Sequence, residues 1–174
     1  MIAYKGFEKD LVCRGYQFTK DKVHETDQAN CRENGFHCAE NPLDCLYYYR
    51  DWKNSVYYLV EASGDLDEDG ADTKISCTRL RLLKELDFKR LLLHGVAYME
   101  KHPERPWNQY VQKETGTSYN GFAIVRGKAP SARGKKQDVL LLLREEPDSC
   151  QIAEIKLIEV DGVECQKNKW YGMG

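Results

Sequence analysis

The sequence predicts an α+β fold, with a mixed β-sheet and two main helices in an N-terminal unit, followed by a small mostly-β C-terminal unit. Three observations carry that expectation. β-rich runs bounded by turn residues recur from one end of the chain to the other. Only "ENPLDCLYYYRDW" and "KELDFKRLLLHGVAYMEKH" read as helices. A length of 174 residues with 41% hydrophobic content suits one domain, or one domain with a small appendage.

Taken in order, "MIAYKGF" is a first strand, and "RGYQF" with "KVHET" a region of short strands. The first helix starts with its own signals: Asn41 caps, Pro42 suits the first turn, and Asp44 suits the positive N-terminal end. "SVYYLVEASG" follows as a β-rich run that Gly64 ends, and "TKISCTRLRLL" as a strand with one buried face. In the second helix Leu86, Leu92, Leu93, Val96, Ala97 and Met99 recur at helical spacing, and "PERPW" stops it. The stretch from Asn108 to Ser118 is polar and reads as a linker. The expected organisation is therefore a mixed domain over 1–107, a linker over 108–120 and a β-rich unit over 121–174. "YNGFAIVRG", "DVLLLLRE" and "QIAEIKLIEVDGVE" supply that unit's strands.

The formal net charge of −2 gives no bulk pull toward nucleic acid or anionic membrane. Direct nucleic-acid contact stays open on this ground alone. Apolar runs such as Val139 to Leu143 are far too short to span a bilayer. "MIAYKGFEKD" lacks an apolar signal core, so a cytoplasmic location is expected. Cysteines stand at 13, 31, 38, 45, 77, 150 and 165, an odd count that reads as free thiols in a reducing compartment. Cys31, Cys38 and Cys45 are seven apart beside His37, whereas zinc ligands come in close pairs, so no metal is expected there. Without G-x-x-x-x-G-K-[ST] or G-x-G-x-x-G, no cofactor is expected either.

"DLDEDG" (65–70) matches the first half of a calcium loop, with carboxylates at alternate positions and a glycine for the sharp turn. The second half fails, because Ser76 falls where a bidentate glutamate is needed. The segment reads as a solvated acidic loop that can dock on a basic partner, through Asp67 and Asp69. Tyr47, Tyr48 and Tyr49 cannot share one face of a helix, since neighbours lie about 100° apart, so one or two are expected buried and the rest exposed. With Trp52, Tyr57 and Tyr58 they form an aromatic belt suited to core packing, base stacking or a protein interface. His37 and His94 read as hydrogen-bonded structural residues. "RGKAPSARGKK" (126–136) reads as a basic, flexible loop able to touch phosphates or an acidic partner.

"AYKGF" (3–7), "CRGYQF" (13–18), "GFHCAENPLDCLYYY" (35–49), "VEASGD" (60–65) and "DTKIS" (72–76) together resemble an uncharacterised family from bacteriophages and bacteria. Its members carry A-Y-K-G-F, then C-R-G-F-Q-Y, then G-F-H-A-C-x-x-P-L-D followed by tyrosines, in this order over roughly residues 1–85. Many continue into glycine-alanine-rich β-solenoid rungs and close with V-D-G and W-Y. Here "VDGVECQKNKWY" is similar to that closure, with one rung-like segment before it and no repeat array. A fainter similarity links the Y-x-G strand and the G-F-H strand entering a tyrosine-rich helix to ADP-ribosyltransferase-like folds. That resemblance implies Lys5 at the ribose-holding position and Tyr47 or Tyr48 at the stacking position, with no glutamate in a matching motif.

The expected function is that of a phage or mobile-element protein that binds and inhibits a host macromolecule by stoichiometric binding. The implied setting is counter-defence of the anti-CRISPR type inside the bacterial host cell. The implied partner is a host protein or a protein–nucleic acid complex. Contact is expected at Tyr47, Tyr48, Trp52, Asp67, Asp69, Arg126, Lys128, Arg133, Lys135 and Lys136. The alternatives are an NAD-dependent ADP-ribosyltransferase modifying a host protein and a phage structural accessory domain.

Overall fold

β1 (Ile2–Glu8) alternates as its sequence requires, with Ala3, Lys5 and Phe7 all buried between the exposed ends of the strand. The computed structural model describes residues 1–174. They divide into two units, Met1–Tyr98 and Met99–Gly174.

In the first unit β1 is followed by the small ribbon of β2 (Val12–Cys13) and β3 (Tyr16–Gln17), then β4 (Val23–Glu25) and β5 (Phe36–Ala39). A 3-10 turn over Pro42–Asp44 leads into the one-turn helix α1 (Cys45–Tyr48). Asn41 caps that turn as expected, its Oδ1 accepting from the Leu43 N–H at 3.0 Å. Asp44 accepts instead from the backbone and hydroxyl of Thr73, at 3.1 and 2.6 Å, which ties the turn to the start of the following hairpin. That hairpin is β6 (Ser55–Glu68) and β7 (Lys74–Leu86), and α2 (Phe88–Lys101) follows it. Gly64 does not end β6. It adopts φ +76 inside the strand, where the register with β7 shifts between Ser63 and Leu66, so the glycine makes a bulge and the strand runs on.

The strand order is β4-β7-β5-β1-β6, and an added β6–β7 pairing closes β7, β5, β1 and β6 into a ring. Ala3, Phe7, Phe18, Phe36, Tyr58, Val60, Ile75 and Leu80 fill it. Phe7 meets Phe18 and Tyr58 edge to face at 5.1 and 5.8 Å. Leu91, Leu92, Val96 and Met99 make the buried stripe of α2, while Leu93 and Ala97 face solvent. Gly95 lets the helix close onto the turn after β5, because a Cβ there would stand 2.7 Å from the Leu43 side chain.

In the second unit β8 (Val111–Thr117), β9 (Phe122–Arg133) and β10 (Val139–Glu145) run parallel. β11 (Ile152–Glu159) is antiparallel beside β10. Ala123, Val125, Leu140, Leu142, Ile158 and Val160 form its core. Two expectations change here. The polar stretch read as a linker over 108–120 contains β8, and the basic segment 126–136 read as a flexible loop is mostly β9. Glu114 explains both. Its carboxylate accepts from the Lys128 and Ala129 N–H groups at 3.0 and 3.1 Å, so polar residues serve the sheet across a register shift.

Candidate functional site: a cationic aromatic cleft

β1 and β5 meet at one pair, Tyr4 with Ala39, while β1 stays paired to β6 along its length and β5 to β7. Beyond that pair the two strands part. A cavity of about 520 Å³ opens between them, within the size range of small-molecule sites.

Lys5 forms its floor. The strand alternation that points Ala3 and Phe7 inward carries Lys5 with them, and only 4% of it is exposed. Its Nζ donates to the His37 carbonyl at 2.6 Å and reaches the Cys13 Sγ at 3.5 Å. It lies 5.3 Å from the ring centroids of both Phe7 and Phe18. The ammonium thus takes the carbonyl that parted strands leave without a rung, and its partners are a carbonyl, a thiol and ring faces. None is a carboxylate.

Aromatic rings wall the cleft. Tyr49 lies on Gly6, where a Cβ would fall on the ring itself, and its hydroxyl donates to Cys13 Sγ at 3.1 Å. The glycine of "AYKGF" is therefore the seat of this tyrosine. Tyr16, Phe18 and Phe36 pack edge to face on the ribbon side. Tyr48 stands by the cleft with the Lys74 ammonium 4.1 Å from its ring centre, and its hydroxyl donates to Asp72 at 3.0 Å. Burial and that bond push Tyr48 up to about 12.

His37 lines the same cavity. Its Nε2 accepts the Arg32 N–H at 2.9 Å, which leaves Nδ1 to carry the proton of the neutral ring. Burial first, then the nearby Lys74, Lys5, Arg14 and Arg32, depress it to about 4, so it stays neutral at pH 7. Two thiols of the lining are held in the protonated form. Burial pushes Cys45 up to about 12, and a hydrogen bond with Cys77 together with burial raises Cys38. Burial, then Arg32, lowers Lys74, as expected of a cation held among cations.

The acidic segment serves the rim of this cleft. Asp67 accepts the Cys31 N–H at 2.7 Å, while Asp69 and Asp72 both pair with Arg32, the latter at 3.3 Å. The carboxylates are turned onto the 30–34 loop, and no three His, Cys, Asp or Glu side chains gather as a metal site.

The other predicted contact residues fall into separate places. Tyr47 and Tyr48 are 44% and 39% exposed and meet edge to face at 5.0 Å, with Arg50 5.1 Å from the Tyr47 ring centre. Both thus stay exposed and only Tyr49 is half-buried, because the helix that would bury a second ring lasts one turn. Trp52 stacks on Phe88 at 4.1 Å and 13°, so its ring is spent on packing. In the second unit Arg126 is not a surface cation. It is 1% exposed, pairs with Glu145 at 2.8 Å, faces the Trp107 ring at 4.9 Å and donates to the Cys150 carbonyl. Lys128, Lys135 and Lys136 are exposed, and Arg133 lies over the exposed Trp170 at 4.9 Å. The turn bearing Lys135 and Lys136 is held by the buried Asp138, which accepts the Lys135 N–H at 2.7 Å.

Sequence reasoning did not single out Cys13, Arg14 or Lys74, and it named Tyr49 only as one ring of the aromatic belt. It reached Lys5 only through a resemblance. The available signal was a lysine at an inward position of an alternating strand, where the period of two calls for an apolar residue.

A family model described as Domain of unknown function (DUF7666) matches residues 1–94, more than half of the chain and the whole of this cleft. No curated protein and no solved structure matches.

Proposed function

We propose, for a chain that belongs to the DUF7666 family of unknown function, that the N-terminal unit is a binding module for a small anionic ligand with a planar ring. Nucleotides are the common class with both features. The observation that carries this reading is the buried Lys5 ammonium, which opens on an aromatic cavity with no carboxylate partner. A buried charge without a counter-ion is costly, and an entering anion relieves that cost. The rings supply stacking faces that tolerate any base. On this reading the module acts by holding its ligand.

Calorimetry with AMP, ADP and ATP, and with adenosine as the neutral control, tests the reading. Nucleotides are expected to bind, and Lys5→Met to weaken them about tenfold to a hundredfold, the worth of one charge-assisted hydrogen bond. Absence of binding by every nucleotide would overturn it.

A second reading keeps stoichiometric inhibition of a host macromolecule in counter-defence. Its support is the exposed Tyr47–Tyr48 pair with Arg50, a surface suited to a protein partner. Capture of one host protein that is lost in Tyr47→Ala with Arg50→Ala, and kept in Lys5→Met, would favour it over the cleft. The ADP-ribosyltransferase reading uses the cleft itself, with Glu8 as the carboxylate in its lining. A partner gaining the mass of an ADP-ribosyl group, dependent on NAD and lost in Glu8→Gln, would select it.

A further inference from the structure

The charges lining the cleft do not cancel. Lys5, Arg14 and Lys74 contribute three positive charges and Glu8 one negative, a net of two counting lysine, arginine and carboxylate alone. Arg32, Asp69 and Asp72 stand outside that lining as a rim network with a net charge of minus one, in which Asp72 also accepts from the Tyr48 hydroxyl and the Lys74 N–H. His37 adds no charge, because its Nε2 is held as an acceptor by the Arg32 N–H and cations face it from four neighbouring segments. These are Lys5 on β1, Arg14 in the turn between β2 and β3, Arg32 in the 30–34 loop and Lys74 at the start of β7. Its Nδ1–H has no protein partner, and no buried side-chain nitrogen or oxygen in the chain is left without one, so this donor opens to the cavity.

We infer that the ligand of this cleft carries two phosphate charges, with the neutral His37 Nδ1–H as a directional donor to it. This step rests on the reading of the cleft as an anion site and adds the charge of its ligand. A ligand with one charge leaves a surplus cation in a partly dry cavity, and one with two does not. Each unmatched charge is worth about tenfold in affinity at the effective dielectric of such a site. Two charges on phosphorus come from a terminal phosphate monoester or from a diphosphate bridge, and the cleft's charge balance accepts both.

Four adenine ligands separate the outcomes by calorimetry at pH 7.5: AMP, a dianionic monoester; diadenosine diphosphate, with one charge on each bridged phosphate; cyclic AMP, with a single charge; and adenosine, with none. AMP or the bridged dinucleotide is expected to bind about tenfold more tightly than cyclic AMP, and adenosine more weakly still. Arg14→Gln, at an exposed position, lowers the net charge to one and is expected to shrink that preference several-fold, which a merely structural arginine would not do. His37→Phe is expected to weaken the dianion and His37→Asn, which retains an amide donor, to restore it in part.

Lowering the pH to 5.5 separates the two sources. AMP weakens as its dianionic phosphate takes up one proton, near pH 6, and the bridged ligand keeps its affinity. Cyclic AMP binding as tightly as both dianions would overturn the inference while leaving the anion cleft standing. Affinity for the bridged ligand that rises as the pH falls would also overturn it, by placing a proton on His37. Binding by none of the four would remove both.

Discussion

Lys5 and Arg126 are both buried cations, one in each unit, and their surroundings differ in one respect. Arg126 has a carboxylate, a carbonyl and an indole face around it, and it is sealed in the second unit's core. Lys5 has a carbonyl, a thiol and two phenyl faces, and its open side is a cavity. A guanidinium met by Glu145 is an internal cross-link, complete within the fold. An ammonium left without a carboxylate is incomplete within the fold. Burial alone does not separate structure from function here; the counter-ion does.

The largest effect that sharpens this contrast is expected at Arg126. Replacing it by Met leaves Glu145 unpaired beside the core and should cost the second unit about 3–5 kcal/mol, read from denaturant unfolding. The double change with Glu145→Leu should recover most of it. Lys5→Met should show the reverse pattern, with unfolding stability held or raised while nucleotide affinity falls. A loss at Lys5 as large as that at Arg126 would break the comparison.

Gly6→Ala comes next, at about 1–3 kcal/mol, because the new methyl must displace the Tyr49 ring. The displaced ring also uncovers Cys13, so faster alkylation of that thiol, followed by peptide mass spectrometry, should accompany the loss.

A smaller effect follows from His37. Its folded-state value, about 4, lies below the ordinary 6.5, so the unfolded chain takes up a proton that the folded chain refuses. The stability it contributes is present above pH 6.5 and is lost as the pH falls from 6.5 toward 4. After allowance for its partial exposure this is on the order of 1 kcal/mol. His94, lowered by burial and then by Lys84, acts in the same sense. Denaturant midpoints at pH 7.5, 5.5 and 4.5 check this for the wild type, and His37→Gln should flatten the fall.

The smallest effect is expected at Lys135 and Lys136. Reversing both charges should change stability by less than about 0.5 kcal/mol, since Asp138 holds their turn through the backbone N–H and not through either ammonium. Nucleotide affinity of the N-terminal cleft should be unchanged. Slower, salt-dependent association with a captured partner would instead give these cations a steering role.

Much of the fold was legible because its signals are local. The alternation of "MIAYKGF", the Asn41 cap and the presence of α2 are each written within a few residues, although Leu86 falls in β7 and Leu93 and Ala97 lie off the helix's buried stripe. The shortness of α1 was not, nor the run of β6 through Gly64, because tertiary pairing with β7 outweighs a local breaker. Polar strands misled for a related reason. β8 and the basic half of β9 look like loops because their side chains face water or each other, while their backbones complete a parallel sheet that no short window reveals.

By itself the sequence determined the α+β class, most strands, both helices and the odd charge on the first strand. Only the tertiary structure decided what that charge means. Arg126 and Lys5 look alike as cations among apolar neighbours. Which of them finds a carboxylate depends on Glu145 lying across from one and on β1 and β5 parting beside the other. Those are contacts between residues far apart in the chain, and electrostatic energy in a dry interior depends on such distances and not on order along the backbone.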